Sequence, residues 1–342
     1  MIPVLLFILG LILLIKGGDW FVDGAVGIAH RFNMPEILIG ATVVSIGTTL
    51  PEVMVSAGGA LKGVGAMAYG NALGSIICNT ALIAAITIAV KPSTIDRKSM
   101  KAPVIFFTIA ALIYVFVSYF TGSFTRLSGI ILLALFVIYM ILSVKQAMAA
   151  KLTENTDPAN PVDINETQKD VSDDSTTDAP KKSFKDSTAK DIFFLILGAT
   201  LIAFGANLLV DNGTIIATAL GVPDAVIALT FVALGTSLPE LVTAITSLAK
   251  GSGALSLGNI IGANMFNIIL VTGLSVTLAP FDIPSDKFIA GINSSLVVDI
   301  PVMIFVSLVM IVPALIRGKM SRIQGIILLA TYAAFCVFQF VL

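Results

Sequence analysis

Charge is what this 342-residue sequence has least of: 12% of it is Asp, Glu, Lys or Arg, about half the share of a soluble domain. The 20 basic and 21 acidic residues leave a net charge of −1, and no basic stripe marks a nucleic-acid surface. There is one histidine, His30, so a paired-histidine metal motif is excluded, and neither a GxSxG turn nor a nucleophile partner for His30 supports an intramembrane enzyme. The two cysteines, Cys78 and Cys336, lie in apolar runs, where small buried side chains account for them better than a disulfide or a metal pair.

What the sequence has instead is length without charge. Gly63–Val90 and Gly251–Phe281 are uncharged, and each exceeds the ~20 residues that cross a bilayer. This pattern predicts an all-α polytopic membrane protein of ten helices, near 3–29, 35–61, 64–90, 102–120, 127–149, 190–218, 223–249, 252–279, 300–316 and 322–341. The first segment lacks the basic start of a signal peptide and recurs later, so it counts as a span. Between the two sets of five, Lys151–Thr188 carries nine acidic and five basic residues and reads as a disordered linker. Its VSDDSTTD stretch has neither the turn glycine nor the final glutamate of a calcium loop. The domains expected are 1–149, a cytoplasmic linker 150–188, and 189–342.

The two sets match. GTTLPE (47–52) returns as GTSLPE (235–240), 188 residues later, and at the same offset GNALGSIICN (70–79) meets GNIIGANMFN (258–267). Gly10, Gly17, Asp23 and Gly63 find Gly198, Gly205, Asp211 and Gly251. Chance does not hold an ungapped register over three helices. Five spans per half is an odd number, so the second half crosses in the opposite sense as an inverted repeat. Lys62, Arg126 and Lys287 fall on one side, and a larger set including Arg31, Lys91, Arg97, Lys190, Lys250 and Arg317 on the other. The positive-inside rule makes the second side cytoplasmic, with both termini outside a plasma membrane.

From Ile37 to Leu61 the one formal charge is Glu52, and from Ala225 to Ala249 it is Glu240. A carboxylate at that depth costs roughly 2.5–3.5 kcal/mol. Each follows a proline, Pro51 or Pro239, whose missing N–H frees the carbonyl four residues back. Free carbonyls at membrane depth belong where they line a cavity or bind something, so helices 2, 3, 7 and 8 are expected as broken helices at the core. Ser45, Thr48, Thr49 and Glu52 share a helical face, as do Thr236, Ser237 and Glu240. A second stripe of Asn71, Ser75 and Asn79 is mated by Asn259, Ala263 and Asn267. Asn71 and Asn259, beside glycines, suit helix packing or lining. Two acids without a basic residue in their spans need a cation or a proton. Their joint charge matches one Ca²⁺ or two Na⁺; Ca²⁺ takes about 6–8 oxygens in flexible geometry, whereas Mg²⁺ keeps its waters. Protons compete for the carboxylates when no metal is bound.

At GTTLPE/GTSLPE with GNALGS/GNIIGA the sequence resembles the calcium/cation antiporter superfamily, in its prokaryotic sodium/calcium exchanger branch, over nearly all but the linker. The resemblance implies ten helices, alternating access and Ca²⁺ export driven by Na⁺. It implies Glu52 and Glu240 as principal Ca²⁺ ligands with the carbonyls of Thr48 and Thr236. It also implies Na⁺ sites from the side chains of Thr48, Thr236, Ser75 and the glutamates and the carbonyls of Ser45 and Ala233, with Thr49, Ser237 and Asn79 completing the lining. Ala263 stands where the repeat would have serine, which puts Na⁺ stoichiometry in question, and Asn267 stands where several relatives have aspartate, which argues against K⁺ cotransport. Proton-coupled antiport and a cation channel are the competing functions, and the inverted repeat favours a transporter over a channel. No cofactor, nucleic acid or protein partner is expected beyond the ions and the lipid bilayer. Asp299 is expected to cap the ninth helix, and Lys16 to pair with Asp19 or Asp23 or to snorkel.

Overall fold

In hydrocarbon every backbone N–H and C=O must find a partner within the chain, and long apolar runs meet that demand as helices. A computed structural model describes residues 2–32, 34–92, 97–154, 184–220, 233–285 and 288–341. Most of the expected linker, 155–183, and the expected start of the seventh helix, up to residue 232, lie outside those residues. The helices are α1 (Ile2–Arg31), α2 (Glu36–Leu61), α3 (Gly65–Val90), α4 (Arg97–Thr121), α5 (Arg126–Glu154), α6 (Phe184–Ala219), α7 (233–249), α8 (Gly253–Leu278), α9 (Ser295–Arg317) and α10 (Arg322–Val341). The chain is an all-α multi-pass membrane protein. Helices α5 and α6 run roughly a turn further into the acidic segment than expected, since polar residues outside the bilayer can still prolong a helix.

Burial separates core from rim. Helices α8, α3 and α2 bury 83%, 72% and 61% of their apolar spans, against 22%, 22% and 17% in α1, α6 and α10. The outer faces of the rim helices show large apolar side chains such as Ile12, Leu112 and Ile326, a surface that suits lipid. Apolar side chains gain little from leaving lipid for protein, so the helices associate through close backbone approach. Gly10 of α1 lies against the Gly205 carbonyl of α6, and Gly17 against that of Gly198, where an added Cβ would come within 2.8 and 3.0 Å. These four glycines stand seven apart within each helix and pair antiparallel.

The repeat is visible in the backbone. Gly63 and Gly251, 188 residues apart, reverse the chain at φ +76° and +83° after α2 and α7. Gly122 and Gly318 end α4 and α9 at φ +65° and +64°. Instead of a gap, α2, α3 and α8 each contain a widened π turn, at Gly40–Val44, Asn79–Ala84 and Asn267–Thr272. The last two again differ by 188 residues. In α7 the irregularity is one turn residue, Ser237, between Thr236 and Leu238. At one end, short antiparallel strands β1 (Ser123–Phe124) and β2 (Phe281–Asp282) tie the α4–α5 loop to the α8–α9 loop.

Candidate functional site

Helix geometry sets each acid in place before any tertiary contact. In α2 the steps of three and four from Ser45 to Glu52 put four oxygen-bearing side chains on one side, all at most 2% exposed. Pro51 stays inside a continuous helix. Pro239 instead opens the helical run Leu238–Ala249, a first-turn position where its missing N–H costs nothing. In both halves the carbonyl four residues back, Gly47 or Gly235, receives no bond from the proline.

Cross-repeat contacts then join the halves. Thr48 Oγ1 donates to Asn259 Oδ1 at 3.2 Å, and its mate Thr236 Oγ1 donates to Asn71 Oδ1 at 3.2 Å. Thr49 Oγ1 reaches Glu240 Oε1 at 3.5 Å. Ser237 and Ser75, whose hydroxyls are 3.4 Å apart, lie beside Glu52 without closing a hydrogen bond to it. Through the Thr49–Glu240 contact the Glu52-bearing face of α2 meets Glu240 of α7. Both acids are 0% exposed, and neither forms an ion pair with any described residue. Both Glu52 oxygens and Glu240 Oε2 have no hydrogen-bond donor among the described residues. Leaving a buried carboxylate without a donor costs several kcal/mol, so this arrangement suits a positive guest. Among the described residues no group of three or more His, Cys, Asp or Glu is present; the guest would be held by two carboxylates and neutral oxygens.

The other expected residues gather around this centre. Ser45 Oγ lies 2.6 Å from the Gly40 carbonyl and 2.9 Å from that of Asn259, and the Ser45 carbonyl is 3.5 Å from Thr48 Oγ1. Asn79 and Asn267 are the first residues of matched π turns, and both amides are buried with no partner on either atom among the described residues. Widened turns of this kind recur at functional sites because they re-aim side chains by one position. Asn71 both packs and lines: its Nδ2 donates to the Glu52 carbonyl at 3.2 Å and to Ser56 Oγ at 2.8 Å. Ala233 opens the short helical stretch Ala233–Thr236, one turn ahead of Ser237. On the rim side Thr48, Pro51 and Pro239 wall a narrow cleft with Phe21, Ala199 and Ile202 of α1 and α6.

Two expected contacts are not formed among the described residues. Asp299 stands just ahead of the run Ile300–Arg317 but its side chain makes no cap hydrogen bond there; it accepts from Ser295 Oγ and Gln339 Nε2, while Asn293 Oδ1 accepts the Ser295 N–H at 2.9 Å. Lys250 of the second repeat, not Lys16, pairs with Asp23 at 2.8 Å and with Asp19 at 3.7 Å. The sequence pattern also passed over Ser56, the Asn264–Thr80 hydrogen bond of 2.6 Å, the Tyr139 hydroxyl on the Ala41 carbonyl at 2.9 Å and the Arg31–Asp191 ion pair. Ser56, Thr80 and Asn264 have Ala244, Ile268 and Ile76 as repeat mates, so the duplication that flagged the acids is silent about them.

The two ends of the site differ. At the Lys250 end α1 closes on α7: Gly18 lies against Val242 and Thr246, and Lys250 bridges to α1. At the opposite end the mate of Thr246 is Gly58, which has nothing within 4 Å among the described residues, and Lys62 and Asp211, the mates of Lys250 and Asp23, form no ion pair among them. Among the described residues, α1 is tied to α7 at the Lys250 end, and the repeat-related contacts are not formed at the other.

Comparison with known proteins accords with this geometry. The family described as sodium/calcium exchanger protein matches residues 2–145 and 190–341. An uncharacterised membrane protein of Methanocaldococcus jannaschii is 34% identical over 95% of this chain and 94% of its own length. The sodium/calcium exchanger MaX1 of Methanosarcina acetivorans is 30% identical over 98% of each chain. A solved structure of the sodium-calcium exchanger NCX_Mj superposes with a TM-score of 0.77 at 30% identity, covering 98% of this chain and 97% of that one.

Proposed function

The chain belongs to the sodium/calcium exchanger family, whose members are transporters and not enzymes, and from that premise we propose that it exports Ca²⁺ in exchange for Na⁺ by alternating access. Glu52 and Glu240 are the principal Ca²⁺ ligands, with the carbonyls of Thr48 and Thr236. The observation that carries this reading is the pair of fully buried carboxylates, three of whose oxygens have no donor among the described residues. A divalent ion cancels both charges at once, and the surrounding hydroxyls, amides and carbonyls bring the oxygen number toward the about 6–8 that Ca²⁺ takes. Na⁺ uses the same carboxylates with Thr48, Thr236 and Ser75 and the carbonyls of Ser45 and Ala233; Thr49, Ser237, Asn79 and Asn267 complete the lining. Because two Na⁺ neutralise what one Ca²⁺ does, binding of either disfavours the other, which is the thermodynamic condition for exchange. The chain falls into two five-helix repeats, 1–149 and 189–342, around a cytoplasmic linker. The Lys250 end faces the cytoplasm and both termini face outward, because the excess of loop Lys and Arg lies at that end.

Reconstituted vesicles test the proposal. With Na⁺ loaded inside and Ca²⁺ outside, Ca²⁺ accumulates, and dissipating the Na⁺ gradient stops it. Accumulation that ignores Na⁺ but follows a pH gradient would transfer the coupling to protons, and saturating flux without any counter-ion would make the protein a channel.

A further inference from the structure

The polar lining around the acids is duplicated; one polar strip beside it is not. On α7, Thr243 and Ser247 follow Glu240 by three and seven residues, which keeps them on its helical face. On α8, Ser256 precedes Asn259 by three residues. The chain reverses between these helices at Gly251 (φ +83°), so Ser247 and Ser256 stand at similar depth, with Thr243 and Asn259 one turn deeper. Beyond them, at the end of the helices, Ser252 Oγ lies 3.4 Å from Glu36 Oε1. The repeat mates of Thr243, Ser247 and Ser256 are Val55, Gly59 and Ala68, none with a polar side chain.

These three hydroxyls are 0%, 0% and 1% exposed, and none has a hydrogen-bond partner among the described residues; Asn259 Nδ2 in the same strip also has none among them. A hydroxyl in a helix ordinarily donates to the carbonyl one turn back, as Thr42, Thr108 and Ser275 do at 2.7–2.8 Å. Thr243, Ser247 and Ser256 do not. Valine or alanine would fill the same space without leaving a donor unpaired. A buried strip of this kind is paired when water reaches it. It lies at the end where α1 shuts the site, with Gly18 against Val242 and Thr246, and Lys250 bridged to Asp23.

We infer that Thr243, Ser247 and Ser256 line the wet route along which cations pass between the Lys250 end and the Glu240 carboxylate once α1 withdraws. The strip presents hydroxyl oxygens and no charge, which suits hydrated Na⁺ and Ca²⁺ moving through instead of stopping. The identity of the cations rests on the antiport reading; the route does not.

The test uses the full chain carrying Cys78→Ala and Cys336→Ala, in oriented vesicles with Ca²⁺ on both faces, and a cationic, membrane-impermeant methanethiosulfonate. Single variants Ser247→Cys and Ser256→Cys are compared with Ile245→Cys, whose parent side chain is 50% exposed on the outer surface of α7. Only a thiol in water ionises and reacts, so the first two react about tenfold faster or more than the third, and from the Lys250 face. Reaction as slow as at Ile245→Cys from both faces, or from the opposite face alone, overturns the route. A second measurement needs no thiol: Ser247→Ala with Ser256→Ala slows Ca²⁺ exchange several-fold without lowering the Tm. An unchanged rate, or a lowered Tm that marks the hydroxyls as merely structural, also overturns it. If vesicles show no Na⁺-driven uptake while labelling follows the expected pattern, the antiport reading fails and the route stands.

Discussion

At the scale of single residues, the acids must be costly to the protein without metal and valuable to it with metal. Glu52 and Glu240 are buried and largely without donors among the described residues, so replacing either by glutamine removes a desolvation cost. The folded protein without metal therefore keeps or raises its Tm in Glu52→Gln and Glu240→Gln. The ligand-linked part of the stability goes the other way. In the parent, Ca²⁺ at 100 times its Kd stabilises by about 2.7 kcal/mol, and this increment disappears in either variant, along with transport. Thermal unfolding in detergent with and without Ca²⁺ measures both. A variant that keeps its Ca²⁺-induced rise in Tm would show that one carboxylate suffices. Duplication made these residues legible in the sequence: an acid after a proline, repeated at an offset of 188, is hard to explain structurally. Thr243, Ser247 and Ser256 have apolar mates, and only their burial and missing partners distinguish them from ordinary helix-knitting hydroxyls.

At the scale of elements, the described helix ends were readable to within about six residues, because hydrocarbon length and charged ends bound them, while the expected start of the seventh helix lies outside the described residues. The π turns were not readable. An apolar helix in lipid has no amphipathic period for an extra residue to shift, so Asn79–Ala84 and Asn267–Thr272 leave no mark in the hydropathy pattern. Close packing was partly readable. The glycines of GNIIG do meet a neighbour: Gly258 lies against the Ile37 backbone and Gly262 against Ala41 and Ser45. Gly70 and Gly74 of GNALG meet nothing within 4 Å among the described residues, and the segment that the repeat would place against them, 221–232, is not among those residues. A test at this scale contrasts two glycines. Gly17→Val forces side-chain atoms into the Gly198 and Ile202 backbone of α6 and destabilises by about 1–3 kcal/mol or more, as overpacking does. Gly58→Ala, with open space around it among the described residues, changes stability by less than about 1 kcal/mol and gains helix propensity. Equal Tm losses in the two variants would mean that α1 and α6 are not held by glycine contact.

At the scale of the whole molecule, an inverted repeat makes one structure informative about two states, because the conformation of one half is a template for the other. At the Lys250 end the two halves are joined by the ion pairs of Lys250 to Asp19 and Asp23, while the mates Lys62 and Asp211 form no pair among the described residues. Exchanging the conformations of the halves opens the first latch and brings the second pair together. The Lys250 pairs are partly exposed, with 30% of the lysine side chain and 56% of the Asp23 side chain accessible, so their contribution is limited to about 0.2–1 kcal/mol. That is enough to matter for a carrier in which the state open at the Lys250 end is the minor one. A change of about 1 kcal/mol shifts their ratio roughly fivefold, and the apparent affinity on the newly opened side rises with the fraction able to bind. Lys250→Gln therefore lowers the half-saturating Ca²⁺ measured from the Lys250 face by up to about fivefold. From the opposite face it raises that value, by less, because the fraction open there was already large. Lys62→Gln acts in the reverse sense, since it weakens the state closed at its own end. Sidedness carries the argument: a mere loss of stability would depress exchange from both faces alike. If Lys250→Gln leaves both half-saturation values where they were, the ion pairs at that end ride with the conformational change without biasing it.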